Sequence, residues 1–353
     1  MHKITRYVSR IIFTMTSLTL LVITALFFIS SLIDQMKNVS DVYTVKEAIM
    51  YVTLIMPSKI YDLIPYSCLI GALAGLGVLA SSSELVVIRS AGVSVIRIVW
   101  MTLRPTMVFI IAALLIGEFV APYAERSAEA RKDFLRHNYV KPLPENVWSR
   151  DHGSFMYVDA VKPNGIIHGI TRYQFDDQHR LTSASYSEEA TYQDGKWKEK
   201  NILVTQVDAE KGLIHSRVEE RDWNTEMTPQ LFTILASEPE ELSMRDLYYY
   251  VNYLEQQQLQ SSSYSIAFWQ KCLQPLAIAS LVLIAISFIF GPLRSVTMGQ
   301  RIVSGVVMGV IFLLVQKLLG PSSLVFGFSP LIAVLIPIGL CVMIGVLLLR
   351  RAA

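Results

Sequence analysis

Six apolar segments, three before and three after a long polar stretch, constrain this chain more than any other feature. A helix needs roughly 20 mostly apolar residues to cross the hydrocarbon core of a bilayer. Ile11–Ile33, Leu63–Ala80, Ile98–Ala121, Ile266–Phe290, Ile302–Leu319 and Phe328–Leu349 are of about that length. Backbone amides in lipid must be satisfied within their own segment, so each is expected to be a helix. The 353 residues are 52% hydrophobic and 17% charged. That excludes an ordinary soluble protein and points to an α-helical polytopic membrane protein with a 3+3 arrangement of transmembrane helices. Lys3, Arg6 and Arg10 before the first span could open a signal peptide. The span is too long for one and no small-residue cleavage motif follows, which predicts a retained anchor. Ahead of the second span, Glu47–Ile60 is mildly amphipathic. It is expected to enter the membrane as a helix kinked at Pro57 and Pro65.

Basic residues in short loops set the expected orientation. The N-terminal tail, Arg89 and Arg97 after span two, Arg294 and Arg301 after span four, and Arg350-Arg351 fall on one side of a six-span topology. That side is expected to be cytoplasmic, with the large insert on the other. Within the insert, Phe155–Val161, Ile166–Phe175, Leu181–Tyr192, Lys198–Val207 and Leu213–Trp223 are rich in β-branched and aromatic residues. Turn signals such as Pro163-Asn164-Gly165 and Asp194-Gly195 separate them, which predicts an all-β sandwich or open roll. The polar, charged segments Tyr123–Asn138 and Ser243–Gln260 are expected to continue spans three and four as helical stalks.

Catalytic signatures are missing. The chain has no phosphate-binding loop and no His-Glu-x-x-His, and its histidines lie outside the spans. Cys68, Cys272 and Cys341 sit in apolar runs and read as buried small hydrophobes, so no metal or other cofactor is expected. The spans carry few ionisable residues at mid-depth, which argues against a self-sufficient ion-coupled carrier.

Three features carry function. The loop Ser81–Ser94 predicts a short helix, with Ser81 and Glu84 as a capping box and Gly92 as its end. Leu85, Val86 and Ile88 form an apolar strip between charges. The strip reads equally as a capped hairpin or as a helix that docks a cytoplasmic partner. Lys37, Lys59, Lys271 and Lys317 lie near the outer ends of spans, with Arg131 and Lys132 slightly further out. Singly they read as snorkelling lysines. Together they could form a basic rim for the phosphates of an anionic amphiphile, with acyl chains in an apolar cavity below. Gly71-x-x-x-Gly75, with Gly77, and Gly305-x-x-x-Gly309 predict close helix packing within the chain or with a partner. Glu118 reads as a solvated helix end, with a cavity-lining role as the lesser alternative.

Ser83-Glu-Leu-Val-Val-Ile-Arg-Ser-Ala-Gly92 resembles the coupling-helix motif of the LptF/LptG permease family. Phe288-Ile-Phe-Gly-Pro-Leu-Arg-Ser-Val-Thr-Met-Gly-Gln-Arg301 resembles the same family and is closer to one of its two branches. Gly71–Ala80 and Gly117-Glu-Phe-Val-Ala-Pro122 match as well, and the similarity runs end to end. The resemblance implies a half-transporter of lipopolysaccharide export in the inner membrane of a Gram-negative bacterium, with both termini cytoplasmic and a periplasmic β-jellyroll-like insert. Residues 1–134 would hold transmembrane helices 1–3 with a coupling helix at 82–92. Residues 135–245 would form the β domain, and 246–353 transmembrane helices 4–6. The implied partners are an LptF-like paralogue, an LptB-like ATPase dimer, an LptC-like single-span protein, an LptA-like bridge and lipopolysaccharide; no nucleic acid is expected. Catalysis would reside in the separate ATPase. On the family pattern Ser83, Glu84, Leu85, Ile88, Arg89 and Gly92 would couple to the ATPase. Ser31 and Ser58 stand where the family carries lysines, and Lys59 is one position, or about 100° of helix, from the expected place.

Burying acyl chain is worth about 0.8 kcal/mol per CH₂, so expelling such a lipid needs an external energy source. The alternative to an exporter subunit is a non-transporting scaffold whose β domain binds envelope partners through a strand edge.

Overall fold

A computed structural model describes residues 2–137, 148–151, 154–161, 166–176, 178, 180–193, 195–208, 212–223, 225, 227–235, 237–257, 259–290 and 296–352. Arg294 lies outside the described residues. Helix α1 (His2–Met36) is followed by α2 (Val45–Ser81), the short α3 (Glu84–Ser90) and α4 (Val95–Leu115). One π-helical turn (Ile116–Val120) joins α4 to α5 (Ala121–His137). After the insert come α7 (Met244–Gln256), α8 (Ser262–Phe290), α9 (Met298–Phe326) and α10 (Pro330–Ala352), with α6 (Pro229–Leu235) closing the insert itself. Six helical stretches among the described residues are long and apolar enough to cross a membrane, which makes this a multi-pass membrane protein. Each coincides with one of the six apolar segments.

The glycine motifs meet their partners inside the chain. A Cβ on Gly71 would lie 2.4 Å from the Thr16 Cα, and one on Gly75 would lie 2.8 Å from the Ile12 side chain. Those two glycines let α1 lie directly on α2. Gly305 and Gly309 do the same for α9 against Leu73 and Tyr66 of α2. The bundle core runs through α2 and α8, with Leu69, Leu76, Ile278 and Leu281 fully enclosed.

Proline in a helix leaves the carbonyl four residues earlier without its amide donor. Neighbouring helices supply the missing bond at two such positions. Ser9 donates to the Met101 carbonyl at 2.8 Å, below Pro105. Gln274 donates to the Tyr61 carbonyl at 3.4 Å, below Pro65.

Strands β1 (Trp148–Asp151), β2 (Ser154–Val161), β3 (Ile167–Phe175), β4 (Leu181–Gln193), β5 (Lys196–Asp208) and β6 (Gly212–Trp223) form one antiparallel sheet in sequential order. The five sequence-predicted strands are β2 to β6, within a few residues. β1 escaped notice because Trp148–Asp151 is too short and polar to show alternation. One face of the sheet buries Met156, Ile167, Ile170, Trp197 and Trp223 under α6 and α7. Trp197 anchors that core: its indole N–H donates to the Met227 carbonyl at 2.6 Å and its ring meets Phe232 edge-on.

Several expectations are corrected. Glu47–Ile60 is helical as expected and is one piece with span two, since α2 continues through Pro57 and Pro65. Span four has no continuous stalk, because α7 ends at Gln256 and α8 begins at Ser262. The polar run between them breaks the helix, with Gln257 as the cap of α7 and Gln258 outside the described residues. Cys68 and Cys341 are buried as expected, whereas Cys272 is half-buried.

Candidate functional site: an amphiphile-shaped cavity and a docking helix

A cavity of about 690 Å³ opens between α2, α8, α9 and α10. One end carries Lys59, Lys271 and Lys317, and Asp62 and Glu240 face them. Deeper in, Ala277, Phe312, Val334 and Ile338 make the wall apolar. That volume lies within the roughly 300–1,000 Å³ of ordinary ligand pockets. The polarity runs from charged to apolar along one axis, which suits a molecule with a charged head and a hydrocarbon tail. Lys59 faces this cavity, and its ammonium also lies 3.6 Å from Glu125. Lys271 is 8% exposed and sits 5.2 Å over the Tyr61 ring.

The other three cations lie elsewhere. Lys37 follows α1, is exposed and pairs with Asp34 at 2.8 Å. Arg131 makes a two-pronged pair with Glu47 at 2.7 and 2.9 Å. Lys132 stacks over Tyr51 at 4.3 Å. The six cations therefore form two groups and one outlier rather than a single rim. Sequence reading missed Asp62 and Gln274, which both line the cavity. Their signal was available: each is a polar residue in or beside an otherwise apolar span.

At the opposite end of the bundle, α3 meets the ends of α1 and α8, and α9 is tied to α2. Tyr7 of α1 hydrogen-bonds Glu84. The Arg89 guanidinium lies 5.7 Å over the Phe290 ring of α8. Arg301 of α9 donates to the Gly77 carbonyl at 2.7 Å. The expected capping box does not form. Ser83, with φ of 60°, is the N-cap and makes no side-chain cap bond, and Ser81 donates to Val78 instead. Gly92, with φ of 82°, ends the helix as expected. Its N–H reaches the Arg89 carbonyl at 3.0 Å, and Val93 N–H reaches that of Ile88 at 3.4 Å. This paired pattern requires a left-handed residue at Gly92.

The apolar strip is split between two faces. Leu85 and Ile88 are buried against the bundle, while Val86 and Val87 are 56% and 64% exposed. The exposed surface of α3 is therefore Val86 and Val87, with Leu85 and Ile88 as the anchor that holds it.

Glu118 is not a solvated end. The π-helical turn places its carboxylate at the start of α7, where it accepts the Met244 N–H at 2.8 Å and the Arg245 N–H at 3.4 Å. Ser243 accepts the Asp246 N–H at 3.0 Å, and Arg126 pairs with Asp246 at 2.9 Å. Span three thus holds the helix that leads out of the insert.

These features define a six-span membrane protein with an extramembrane antiparallel β insert, an amphiphile-shaped cavity at one end and a short helix packed across the other. The family model for the lipopolysaccharide export system permease LptF/LptG matches residues 6–351. The LptG permease protein of that export system in Escherichia coli strain K12 is 32% identical over 350 residues, covering 98% of this chain and 97% of the relative. Its counterpart in Haemophilus influenzae is 31% identical over 340 residues, covering 95% of each. The chain belongs to the LptF/LptG permease family.

Proposed function

We propose that the chain is the LptG-type permease subunit of an ATP-driven exporter that lifts lipopolysaccharide out of the inner membrane. The observation that carries this reading is the cavity, charged at its outer end and apolar below, in a chain that matches the family over nearly its whole length. Residues 1–134 and α8 to α10 act as the membrane unit, and the β domain, which extends past the expected 135–245 to take in α7, passes lipid on the periplasmic side to a bridge of similar domains. Both termini and α3 face the cytoplasm. Lys59, Lys271 and Lys317 bind phosphate at the cavity mouth. Lys37, Arg131 and Lys132 meet the lipid only after it leaves the cavity or across the paralogue. Exposed apolar residues along α1 and α9, such as Leu21, Leu26, Val307 and Leu318, face lipid or the paralogue.

A separate ATPase dimer docks on Val86 and Val87 of each α3. Closure of that dimer moves α3, and through Tyr7 and Phe290 the inner ends of α1 and α8. The cavity narrows and the lipid is driven outward. The carboxylates Asp62 and Glu240 share the cavity with the lysines, and phosphate competes with them for the ammonium groups.

The test is a photo-crosslinking residue in place of Lys59 in living cells, with Ile284 as a buried control. Capture of lipopolysaccharide at position 59 that changes when the ATPase is disabled supports the reading. A folded, assembled protein that captures none at 59 or 317 overturns it in favour of a scaffold.

A further inference from the structure

The apolar segment Ile98–Ala121 contains two charged residues, Arg104 and Glu118. Glu118 is taken up by the start of α7. Arg104 is exposed and makes no ion pair or side-chain hydrogen bond among the described residues. It follows Ile98 by six residues, which sets it about 9 Å inside the segment. A charge at that depth is costly in lipid unless it reaches the interface or meets an opposite charge. The packing of α4 fixes which way it faces. Ser9 of α1 donates to the Met101 carbonyl at 2.8 Å, and the Phe13 ring lies 5.3 Å from that of Phe109. Thr102 and Thr106 are buried in the bundle. The face left outside carries Arg97, Trp100, Arg104, Met107, Val108 and Ile111, all exposed and at helical spacing. From the α3 end upward it runs cation, indole, cation, hydrocarbon. Arg97 and Arg104 are two turns apart, about 10.5 Å. No acidic residue answers them: α4 has none, and α1 has none before Asp34. The Ser9 bond also brings Arg6 and Arg10 of α1, both exposed, to the same end of α4.

We infer that this outer face of α4 binds an anionic glycerophospholipid from the leaflet on the α3 side. Arg104 extends toward the headgroup layer and holds the phosphate with its two-pronged guanidinium. Trp100, 61% exposed and one turn nearer the membrane surface, lies at headgroup level, where indoles gather. Met107, Val108 and Ile111 run along the acyl chains. A zwitterionic lipid carries its own ammonium beside the phosphate and gains less from the arginines than an anionic one does. A partner span would need a carboxylate at the same depth to take this place, whereas lipid phosphate is present along the whole leaflet. The site lies on the outside of the bundle and at the opposite end from the charged mouth of the cavity. It is therefore separate from the transport reading and needs only that α4 crosses the bilayer.

The test places a photo-crosslinking residue at Val108 of the full chain, reconstituted in vesicles of equal parts phosphatidylglycerol and phosphatidylethanolamine with matched acyl chains. Mass spectrometry counts the lipid adducts. With Arg104 intact, phosphatidylglycerol is captured about fivefold more often, as one additional lipid charge beside an arginine would give. Arg104→Leu brings the two lipids to equal capture, and Arg104→Lys keeps part of the preference. The same residue at Val307, exposed on α9, captures both lipids equally. Equal capture at Val108 with Arg104 intact, or a preference unchanged by Arg104→Leu, overturns the inference. So does a preference at Val307 as large as that at Val108, which would mark a general attraction to the protein's charge. In living cells, capture of another protein chain at Val108 in place of lipid overturns it in favour of a subunit contact. Should Arg104→Leu fail to fold, the comparison of Val108 with Val307 decides.

Discussion

The Glu118 carboxylate accepts the backbone N–H of Met244 at 2.8 Å, although 126 positions separate them along the chain. This bond ties the third span to the first turn of the helix that leaves the β insert. It depends on the π-helical turn, which Gly117 allows by lying directly against Tyr61: a Cβ there would come within 2.3 Å of the ring. Such turns recur where a helix must re-aim a side chain.

Glu118→Ala removes the acceptor for two orphan amides at once. Losing a helix N-cap costs about 0.5–2 kcal/mol. Amide hydrogen exchange in the first turn of α7 is expected to accelerate, with exchange in α10 unchanged. Glu118→Gln keeps a carbonyl acceptor and should restore part of the protection.

Gly71→Ala places a methyl 2.4 Å from the Thr16 Cα, and backbone cannot swing aside as a side chain can. Overpacking of this kind costs about 1–3 kcal/mol. The thermal midpoint of the detergent-solubilised protein should fall. Gly299→Ala, where a Cβ meets nothing within 4 Å, should leave it unchanged.

Val87→Asp separates docking from folding. Val87 is exposed, so the midpoint should hold, while ATPase recovered with the complex falls about tenfold or more, as for a central interface residue. Leu85→Asp should instead lower the midpoint, because it buries a charge against the bundle. Equal loss of ATPase in a Ser90→Asp control would point to charge rather than to the apolar face.

Glu241 gives a pH dependence. Burial first, then Glu125, Glu238 and Glu129, push its carboxyl from 4.5 up to about 7. A carboxyl raised in the folded state favours the protonated form there. Its contribution to stability is fully present below about 4.5 and is lost as pH rises through about 7. Glu241→Gln should therefore raise the thermal midpoint at pH 8 and make no difference at pH 4. A variant no more stable than wild type at pH 8 would show that the carboxylate is relieved by water or by a neighbour.

Local pattern alone determined the six spans and strands β2 to β6. Span length is set by bilayer thickness, and strands betray themselves by alternation and turn residues. The end of α3 at Gly92 was equally legible, since a left-handed residue must stand there. Tertiary structure decided the rest. Which lysines share a cavity depends on the rotation of α2, α8 and α9 about their axes, and the Gly71, Gly75, Gly305 and Gly309 contacts help set that rotation. Leu85 and Val86 are neighbours in sequence, yet one is buried and the other exposed, because a helix turns about 100° per residue. Glu118 and Gln274 gained their roles only when a distant helix start and a proline-freed carbonyl came within hydrogen-bond reach. Spacing along the chain cannot reveal such pairs, since the partner of each lies more than a hundred residues away and is chosen by packing.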